Sequence, residues 1–456
     1  MHYFNFFKYV FITLLFALSL TNTIGEERFW EYPSQFTSVD SRFPSSISAS
    51  AGGKNYSLLF FEEVEEKKSQ LYISAKLTTD GKMWRDIPRF AGPYSYVGSV
   101  PDQYATAYND DGIVCVAVIT GIGTLSVFRT DMASVLQGGE VIFSEKALPA
   151  IENPLLAPRI YKNGENGFTL FSSQGQENSF SMLYSSSPDG EAWSDFASFK
   201  PAESTMNPFL PVLFADDKVI FQAQYNNGSR LVYQLYKTQY NADSDSWEEA
   251  RLITGKDSFI YEKESSRYDS YNNQRPFVFT HNGTTYIAWE RSYSTSDQPH
   301  IWFSEFDGEN FVHSTIQELT TSGSAHRPIL FSSDGEALAI LWFDNRRGFD
   351  SVFFGEFFAG ELDGSVISRS NTPSSFAYPV QVGNTLSFVW QQDAKTKGKS
   401  NVYILEKDHS VPRPSLKPIS YTLGKRSTAK KVSAQIIAGD DSSKDVQLMN
   451  ALNSSG

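Results

Sequence analysis

The chain has 456 residues and a formal net charge of −13 at pH 7, and aromatic residues make up 15% of it. This acidic balance argues against a nucleic-acid partner, because affinity for phosphate backbones depends on a face rich in Lys and Arg. The single cysteine, Cys115, excludes a disulfide framework and any cysteine-based metal cluster. The 36 Phe and 23 Tyr favour β-sheet, since aromatic side chains fit a pleated, half-buried surface.

Residues 1–25 are predicted to be a signal peptide. Lys8 supplies a positive charge, and Val10 to Leu20 form a nearly unbroken apolar run. That run is too short to cross roughly 30 Å of hydrocarbon as a helix, but it suits the hydrophobic region of a signal peptide. An uncleaved membrane anchor is the alternative. We expect cleavage near Gly25, no transmembrane segment in the mature chain, and a secreted, periplasmic or cell-surface location.

Residues 26–410 are predicted to form a repeat architecture. In each clear copy a strand begins at or beside a proline, a polar turn containing Gly follows, and a second strand ends in Trp. Proline is best tolerated at the start or the edge of a strand, and Asn-Gly or Asp-Gly pairs suit tight hairpin turns. The clear copies are Arg275–Trp289, Arg327–Trp342 and Tyr378–Trp390, and weaker copies begin near Ser45, Tyr104, Ala157 and Leu210.

The spacing of these copies predicts the fold class. Small sheets repeated along a chain bury both faces only by packing against their neighbours, and a radial arrangement of such sheets is a β-propeller. We therefore predict an all-β propeller of about six or seven blades with three to four strands each; an array of two-sheet sandwiches is the alternative. The last unit, Tyr378 to Glu406, supplies three strands. We expect a strand at Arg28–Tyr32 to complete it, because an open ring leaves sheet edges unpaired.

A second motif recurs at the outer hairpins, with the pattern Ser/Thr-x-Asp-Gly-x-x-aromatic and looser variants of it. Asp accepts backbone N–H groups across its own turn, Gly supplies a positive φ, and the aromatic side chain is predicted to pack between adjacent sheets. These roles are structural rather than catalytic. The residues concerned are Asp80, Trp84, Asp189, Trp193, Trp247, Asp307 and Phe311.

These turns resemble the Asp-boxes, or BNR repeats, of the sialidase (neuraminidase) superfamily, in a form one residue shorter than the usual one. The first unit, which begins Arg42-Phe-Pro, is similar to the opening blade of sialidases. The likeness extends from about Arg42 to Lys407 and implies a sialidase-like propeller.

The resemblance also implies a site at the centre of the propeller. Sialidases grip the sugar carboxylate with three arginines, whose planar guanidinium groups bind carboxylates bidentately, and they use a Tyr nucleophile. Arg42, Arg291 and Arg327 match the three arginines, and Tyr378 matches the nucleophile. Arg275, which begins one of the repeats, is a fourth candidate for ligand binding.

The expected carboxylates are where this chain departs from the pattern. In sialidases a glutamate activates the tyrosine, and Arg275 stands near the position expected for that glutamate. The tyrosine therefore lacks its activating carboxylate unless Glu262, Glu264 or Glu290 reaches it instead. The loop that should present an acid/base Asp has no Asp. Its only acidic residues are glutamates, the first of which is Glu62.

We therefore predict a protein that binds a carbohydrate, in particular an acidic sugar, or a protein ligand at the mouth of the central channel, without a full catalytic set. An exo-glycosidase of sialidase type and an interaction scaffold of the cell envelope are the alternatives. The six His show no ligand spacing, so we predict no metal site and no cofactor.

Residues 411–456 are predicted to be a proline-containing basic linker and tail. They contain seven Lys/Arg and three Asp, a net charge of +4, which leaves −17 for residues 1–410. A segment of this length cannot complete an immunoglobulin-like domain of about 100 residues. A disordered tail, a tail attached to the propeller, and the truncated start of such a domain are the alternatives.

Overall fold

The computed structural model describes residues 33–95, 102–176, 179–199, 207–226, 231–255, 271–293, 298–333, 337–358 and 360–406, and four short strands near the C-terminus. Tyr32–Glu406 forms one compact unit, and Met1–Glu31 with Lys407–Gly456 forms the other. The second unit contains two pairs of short strands. Strand β30 (Ser415–Leu416) pairs with β32 (Ala438–Gly439), and β31 (Lys431–Val432) pairs with β33 (Ala451–Leu452).

The larger unit is a seven-bladed β-propeller. Its described residues form seven antiparallel sheets that follow one another along the chain, each with four strands from the centre outward and one additional short strand in blade 4. The innermost strands of all neighbouring blades contact each other, including those of the first and last blades. The propeller prediction is confirmed, the blade number is seven, and the sandwich alternative is excluded.

The first and second strands of each blade form the inner half of the propeller. The innermost strands, in blade order, are β2 (Ser41–Ala51), β6 (Tyr104–Tyr108), β10 (Leu155–Asn163), β14 (Phe209–Ala215), β19 (Tyr271–His281), β23 (Ala325–Ser333) and β27 (Ser374–Val382). The second strands are β3 (Lys54–Glu65), β7 (Ile113–Gly121), β11 (Gly167–Gln176), β15 (Lys218–Asn226), β20 (Thr284–Tyr293), β24 (Ala337–Asp344) and β28 (Thr385–Asp393).

The third and fourth strands form the outer half. The third strands are β4 (Gln70–Thr78), β8 (Thr124–Asp131), β12 (Ser179–Ser187), β16 (Leu231–Asn241), β21 (His300–Phe306), β25 (Ser351–Phe358) and β29 (Ser400–Glu406). The outer strands are β5 (Arg85–Ser95), β9 (Ser144–Ala147), β13 (Ala197–Phe199), β17 (Ser246–Trp247) with β18 (Arg251–Leu252), β22 (Gln317–Glu318), β26 (Glu361–Val366) and β1 (Ser34–Gln35). Among the described residues, no helix is both long and apolar enough to cross a membrane.

The N-terminal strand closes the ring. β1 pairs antiparallel with β29, with Ser34 opposite Ile404, and the Phe36 N–H donates to the Val402 carbonyl at 2.8 Å. Closure by an N-terminal strand is therefore confirmed, although the strand lies a few residues later than predicted. Arg28–Tyr32, where the strand was expected, lies outside the described residues.

Apolar side chains from facing sheets fill each interface between blades. Between blades 7 and 1, for example, Val389 and Val402 pack against Leu59 and Phe61. The Trp residues that end the second strands of the repeat belong to this core: Trp289 and Trp390 are fully buried and Trp342 is 4% exposed. The sequence pattern that revealed the repeat is thus the pattern of the blade interfaces.

The aspartate turns have the predicted hydrogen bonds. Oδ1 of Asp80, of Asp189 and of Asp307 each accepts the backbone N–H groups of the residues two and three positions later, at 2.6–2.9 Å. These N–H groups stabilise the ionised form and lower the pKa of all three carboxyls. In blade 4 the accepting side chain is Asn241.

The aromatic residue of each turn packs between two blades, as predicted. Trp84 packs into the interface of blades 7 and 1, Trp193 into that of blades 2 and 3, and Trp247 into that of blades 3 and 4. Phe311 packs between blades 4 and 5. Blade 2 lacks the motif, and the helix α1 (Met132–Leu136) instead places the fully buried Met132 against blade 1.

A backbone irregularity recurs near the start of every inner strand. One residue there adopts a positive φ of 47–66°, and in six blades the ladder to the second strand shifts register around it, which marks a β-bulge. In five blades proline comes next, where its missing N–H costs no ladder bond. We call all seven positive-φ residues bulge residues, including Asp102, where no register shift occurs: Phe43, Asp102, Ala157, Leu210, Arg275, Arg327 and Phe376.

Candidate ligand-binding site

The inner strands of all seven blades surround a central channel of about 670 Å³. We call the end at which these strands begin the channel mouth, and six of the seven bulge residues line it, Ala157 being the exception. A left-handed conformation at a non-glycine residue costs of order 1–3 kcal/mol and persists only where the surroundings impose it. Strain repeated at the mouth identifies this end of the channel as the candidate site.

The mouth is positively charged, although the whole chain is strongly acidic. The charged residues among the described lining are Arg159, Arg275, Arg327 and Asp102, a balance of three positive charges to one negative, whereas the chain carries −13. Cationic side chains in a cleft with low-dielectric walls focus the field on an anionic ligand. The channel mouth is therefore suited to anions in a protein whose overall charge repels them.

Asp102 connects arginines from two other blades. Its carboxylate accepts two hydrogen bonds from Arg327, at 3.1 and 2.8 Å, and one from Arg159 at 3.2 Å. Asp102 precedes blade 2 and Arg327 belongs to blade 6, almost opposite in the ring, so this ion pair crosses the mouth. Burial opposes ionisation of Asp102, but the charges of Arg159 and Arg327 outweigh it and hold its pKa well below the usual range.

Arg275 is the most exposed of the three arginines. Its side chain is 40% exposed, compared with 21% for Arg159 and 18% for Arg327. Its anionic partner among the described residues is Glu290, at 3.7 Å between Nη1 and Oε1. Because this contact is long and Asp102 is bonded elsewhere, the Arg275 guanidinium is the one most open to a ligand.

Glu290 supports the mouth from inside the protein. It accepts the backbone N–H of Arg327 at 2.8 Å, and its other oxygen lies 3.2 Å from Nδ1 of His326. Burial favours the neutral carboxyl, but the hydrogen bond from His326 and the charge of Arg275 outweigh burial and lower the pKa of Glu290. Gln222 and Gln391 occupy the same ladder position in their blades as Glu290. Each accepts the backbone N–H of the bulge residue of the following blade, so side chains at this ladder position hold the strained backbone in place.

Of the four arginines predicted to bind a ligand, Arg275 and Arg327 line the channel, whereas Arg42 and Arg291 do not. Arg42 is 3% exposed and bonds Asp40, and Arg291 is 4% exposed, with its guanidinium over the ring of Tyr271. Both lie at regular ladder positions near the bulges, where Arg42 pairs with Glu62 and Arg291 with Asn273. The expected triad of Arg42, Arg291 and Arg327 therefore does not converge.

Tyr378 lines the channel, but not at the repeat position assumed from its Tyr-Pro sequence. By ladder register it corresponds to Phe277 and Ile329, while Phe376 corresponds to Arg275 and Arg327. No residue in the described part of the chain hydrogen-bonds its hydroxyl. Burial raises the pKa of this phenol, Asp102 adds to the increase, and the charge of Arg327 opposes it. Glu290 does not reach it, and Glu262 and Glu264 lie outside the described residues.

Sequence reasoning missed Asp102 and Arg159. Arg159 follows Ala157-Pro158, so the bulge proline of a weak repeat could have marked it. Asp102 had no such signal, because its bulge is one of the two without a proline. Glu62, considered as a substitute acid, is 2% exposed and lies behind the channel wall rather than in it.

The two sides of the channel differ in chemistry. Blades 4 to 6 contribute mainly apolar side chains, whereas most of the hydroxyl groups in the lining come from blades 7, 1, 2 and 3. The apolar wall includes Val212, Phe277, Phe279, Ile329 and Phe331, and the hydroxyl wall includes Ser45, Ser46, Ser48, Thr106, Tyr108, Tyr161 and Tyr378. A ligand with one apolar and one hydroxylated face, as many sugar rings have, complements both walls.

Comparison with known proteins gives a likeness in structure only. No family model matches the chain, and no curated protein matches it. An ulvan lyase described as a new family of polysaccharide lyase, bound to -[GlcA(1-4)Rha3S]-, aligns with a TM-score of 0.54 at 11% identity over 82% of this chain and 96% of its own. A second structure of such a lyase gives 0.52 at 10% identity over 83% and 95%. A Trypanosoma rangeli sialidase gives 0.42 at 10% identity over 82% and 57%.

At such identities, the lyase alignments show a shared fold and nothing about activity. The chain is thus an all-β seven-bladed propeller similar in structure to these polysaccharide lyases.

Proposed function

We propose that this protein is an exported propeller that binds an acidic carbohydrate at the channel mouth. The observation that carries the proposal is the presence of Arg159, Arg275 and Arg327 at one end of the channel in a chain of net charge −13. The apolar run near the N-terminus supports export, and the aspartate turns support membership of the Asp-box propellers.

A carboxylate or sulfate group on a sugar is the chemistry that these residues recognise. Guanidinium groups are planar and permanently charged, and they bind such oxyanions through two parallel hydrogen bonds. The channel walls offer hydroxyl groups and an apolar face to the rest of the ring. The ulvan lyase of similar fold was solved with a ligand that contains GlcA and Rha3S, which bear a carboxylate and a sulfate. The proposal for this chain depends on its own arginines.

The proposal predicts that Arg275→Ala weakens the binding of an acidic oligosaccharide about tenfold, because one charge-assisted hydrogen-bonding group is worth of order 1.5 kcal/mol. Calorimetry with a glucuronic-acid oligosaccharide and with its carboxyl-reduced, neutral counterpart measures this effect. Arg275→Lys keeps the charge and loses the fork, so its affinity should be intermediate. Arg251→Ala is the matched control, since Arg251 is similarly exposed on the outer edge of blade 4. Equal affinity for the acidic and the neutral ligand would contradict the proposal.

We propose further that Tyr378 does not act as a glycosidase nucleophile. Its hydroxyl has no carboxylate hydrogen-bonded to it in the described part of the chain, and burial raises its pKa, so the phenol stays protonated at neutral pH. We expect neither the wild type nor Tyr378→Phe to release the aryl group from an aryl sialoside. Turnover that Tyr378→Phe abolishes would establish an enzyme instead.

A further inference from the structure

The Asp102 carboxylate is held at the mouth by arginines alone. In the described part of the chain, every hydrogen bond that it accepts comes from Arg327 or Arg159, and none comes from a backbone N–H. Glu290 differs, because it lies within strand β20 and accepts a backbone N–H in addition to its side-chain contacts. Among the described residues, only arginines therefore hold the Asp102 side chain in its present place.

The backbone at Asp102 lies outside the sheet. Asp102 has a φ of 66°, and strand β6 begins only at Tyr104, so the residue stands outside the ladder at the end of the connection from blade 1. Its side chain is 21% exposed and lines the channel, which means that a ligand in the mouth can contact it. A residue at a strained position outside a strand can change conformation without breaking sheet hydrogen bonds.

The geometry of this contact is that of a bound carboxylate ligand. Arg327 donates from both terminal nitrogens to the two oxygens of Asp102, the fork-to-fork arrangement by which arginine recognises carboxylates in general, and Arg159 adds a third donor. Asp102 thus fills the position in which the acidic group of a ligand would find the most donors.

We propose that Asp102 is an internal competitor, whose carboxylate occupies the Arg159–Arg327 pair until the carboxylate of a ligand displaces it. This inference rests on the proposed function, and it adds a mechanism of selectivity to it. An incoming anion first meets the exposed Arg275 and then takes over the donors that Asp102 releases.

Displacement explains why such a mouth would select anions. A neutral sugar that moved Asp102 aside would leave two partly buried guanidinium groups without an anionic partner, which is costly. An acidic ligand replaces one carboxylate with another and keeps the hydrogen bonds. The competitor also reduces the apparent affinity in proportion to the fraction of molecules in which Asp102 has moved away.

The test removes the competitor and supplies a carboxylate from outside. We expect Asp102→Asn to bind the glucuronic-acid oligosaccharide at least about tenfold more tightly than the wild type. We expect Asp102→Ala to melt at a lower temperature than the wild type and to regain several degrees when acetate replaces chloride at equal ionic strength, while the wild type does not respond. Asp110→Asn is the control for the change in net charge, because Asp110 pairs with Lys162 at the opposite end of blade 2.

The two readouts separate the inference from the function on which it rests. Acetate rescue of Asp102→Ala without any binding of acidic saccharides would support the internal carboxylate and contradict the carbohydrate ligand. Weaker oligosaccharide binding by Asp102→Asn, with no acetate rescue of Asp102→Ala, would overturn the inference, since Asp102 would then be a fixed part of the site. Unchanged affinity in Asp102→Asn would overturn it as well.

Discussion

Replacing Asp40 with alanine is expected to lower the free energy of unfolding by about 3 kcal/mol, because it removes the buried anion that joins the first blade to the last. The Asp40 carboxylate accepts hydrogen bonds from Nε of Arg42 at 3.1 Å and Nη2 at 2.8 Å, and from the N–H of Ser400 at 3.0 Å. The Asp40 and Arg42 side chains are each 4% exposed, so solvent cannot replace what is lost. Ser400 begins the strand with which the N-terminal β1 pairs, which places this contact at the closure of the ring.

Thermal and urea unfolding of three variants would resolve the origin of the loss. Asp40→Asn keeps an acceptor for the Ser400 N–H and removes only the charge, so it should lose less stability than Asp40→Ala. Arg42→Met combined with Asp40→Ala should recover part of the loss, since an apolar replacement of both partners leaves no buried charge behind. If Asp40→Ala melted with the wild type, the ion pair at the closure would contribute nothing to stability.

Much of the fold was predictable because the repeat constrains the same positions in every blade. Trp289, Trp342 and Trp390 recur since each must fill the space between two sheets, and the aspartate turns recur since each must turn a hairpin at the outer edge. Sequence also located the closing strand approximately, through the deficit of one strand in the last unit. The exact strand, Ser34–Gln35, could not be found, because its two residues have no apolar pattern.

The candidate site was less predictable, because one residue decides which way a side chain points along a strand. A proline after the bulge marks Arg275 and Arg327 correctly, but Tyr378 also precedes a proline and lies two positions beyond its bulge. Arg42 immediately precedes the bulge residue Phe43, and it is buried away from the channel, where it bonds Asp40 and the Gly398 carbonyl. Chain register near a bulge is a property of the ladder, and the sequence alone does not contain it.

A second prediction concerns Glu62, whose position in the repeat is that of Glu290. In its own blade, each of these two glutamates pairs across the ladder with the residue just before the bulge. The bulge residue of the following blade differs, since it is Arg327 for Glu290 and Asp102 for Glu62. Burial raises the pKa of Glu62 from its usual 4.5 to about 8, with the Arg42 charge opposing the rise and the Asp102 charge adding to it. The buried Oε1 of Glu62 has no hydrogen-bond partner among the described residues.

The raised pKa of Glu62 should make the protein less stable as pH rises. Above pH 4.5 the unfolded chain releases this proton while the folded protein retains it up to about pH 8, so ionisation stabilises the unfolded state over that interval. Glu62→Gln carries a neutral side chain throughout. Between about pH 6 and about pH 8, we expect the wild type to lose roughly 2 kcal/mol of unfolding free energy relative to Glu62→Gln. Urea unfolding of both proteins across this range measures the difference.

Glu290→Gln is the matched variant, and its effect should have the opposite sign. The pKa of Glu290 is lowered, so its carboxylate stabilises the folded protein above the pKa of the unfolded chain, and this stability is lost as pH falls through the folded pKa. Glu290→Gln should therefore be less stable than the wild type at neutral pH, and this difference in unfolding free energy should shrink as pH falls. For Glu62→Gln, the unfolding free energy relative to the wild type should instead increase as pH rises. Equal pH profiles for the wild type and Glu62→Gln would show that Glu62 is already ionised in the folded protein, which would require the Arg42 charge to outweigh both burial and Asp102.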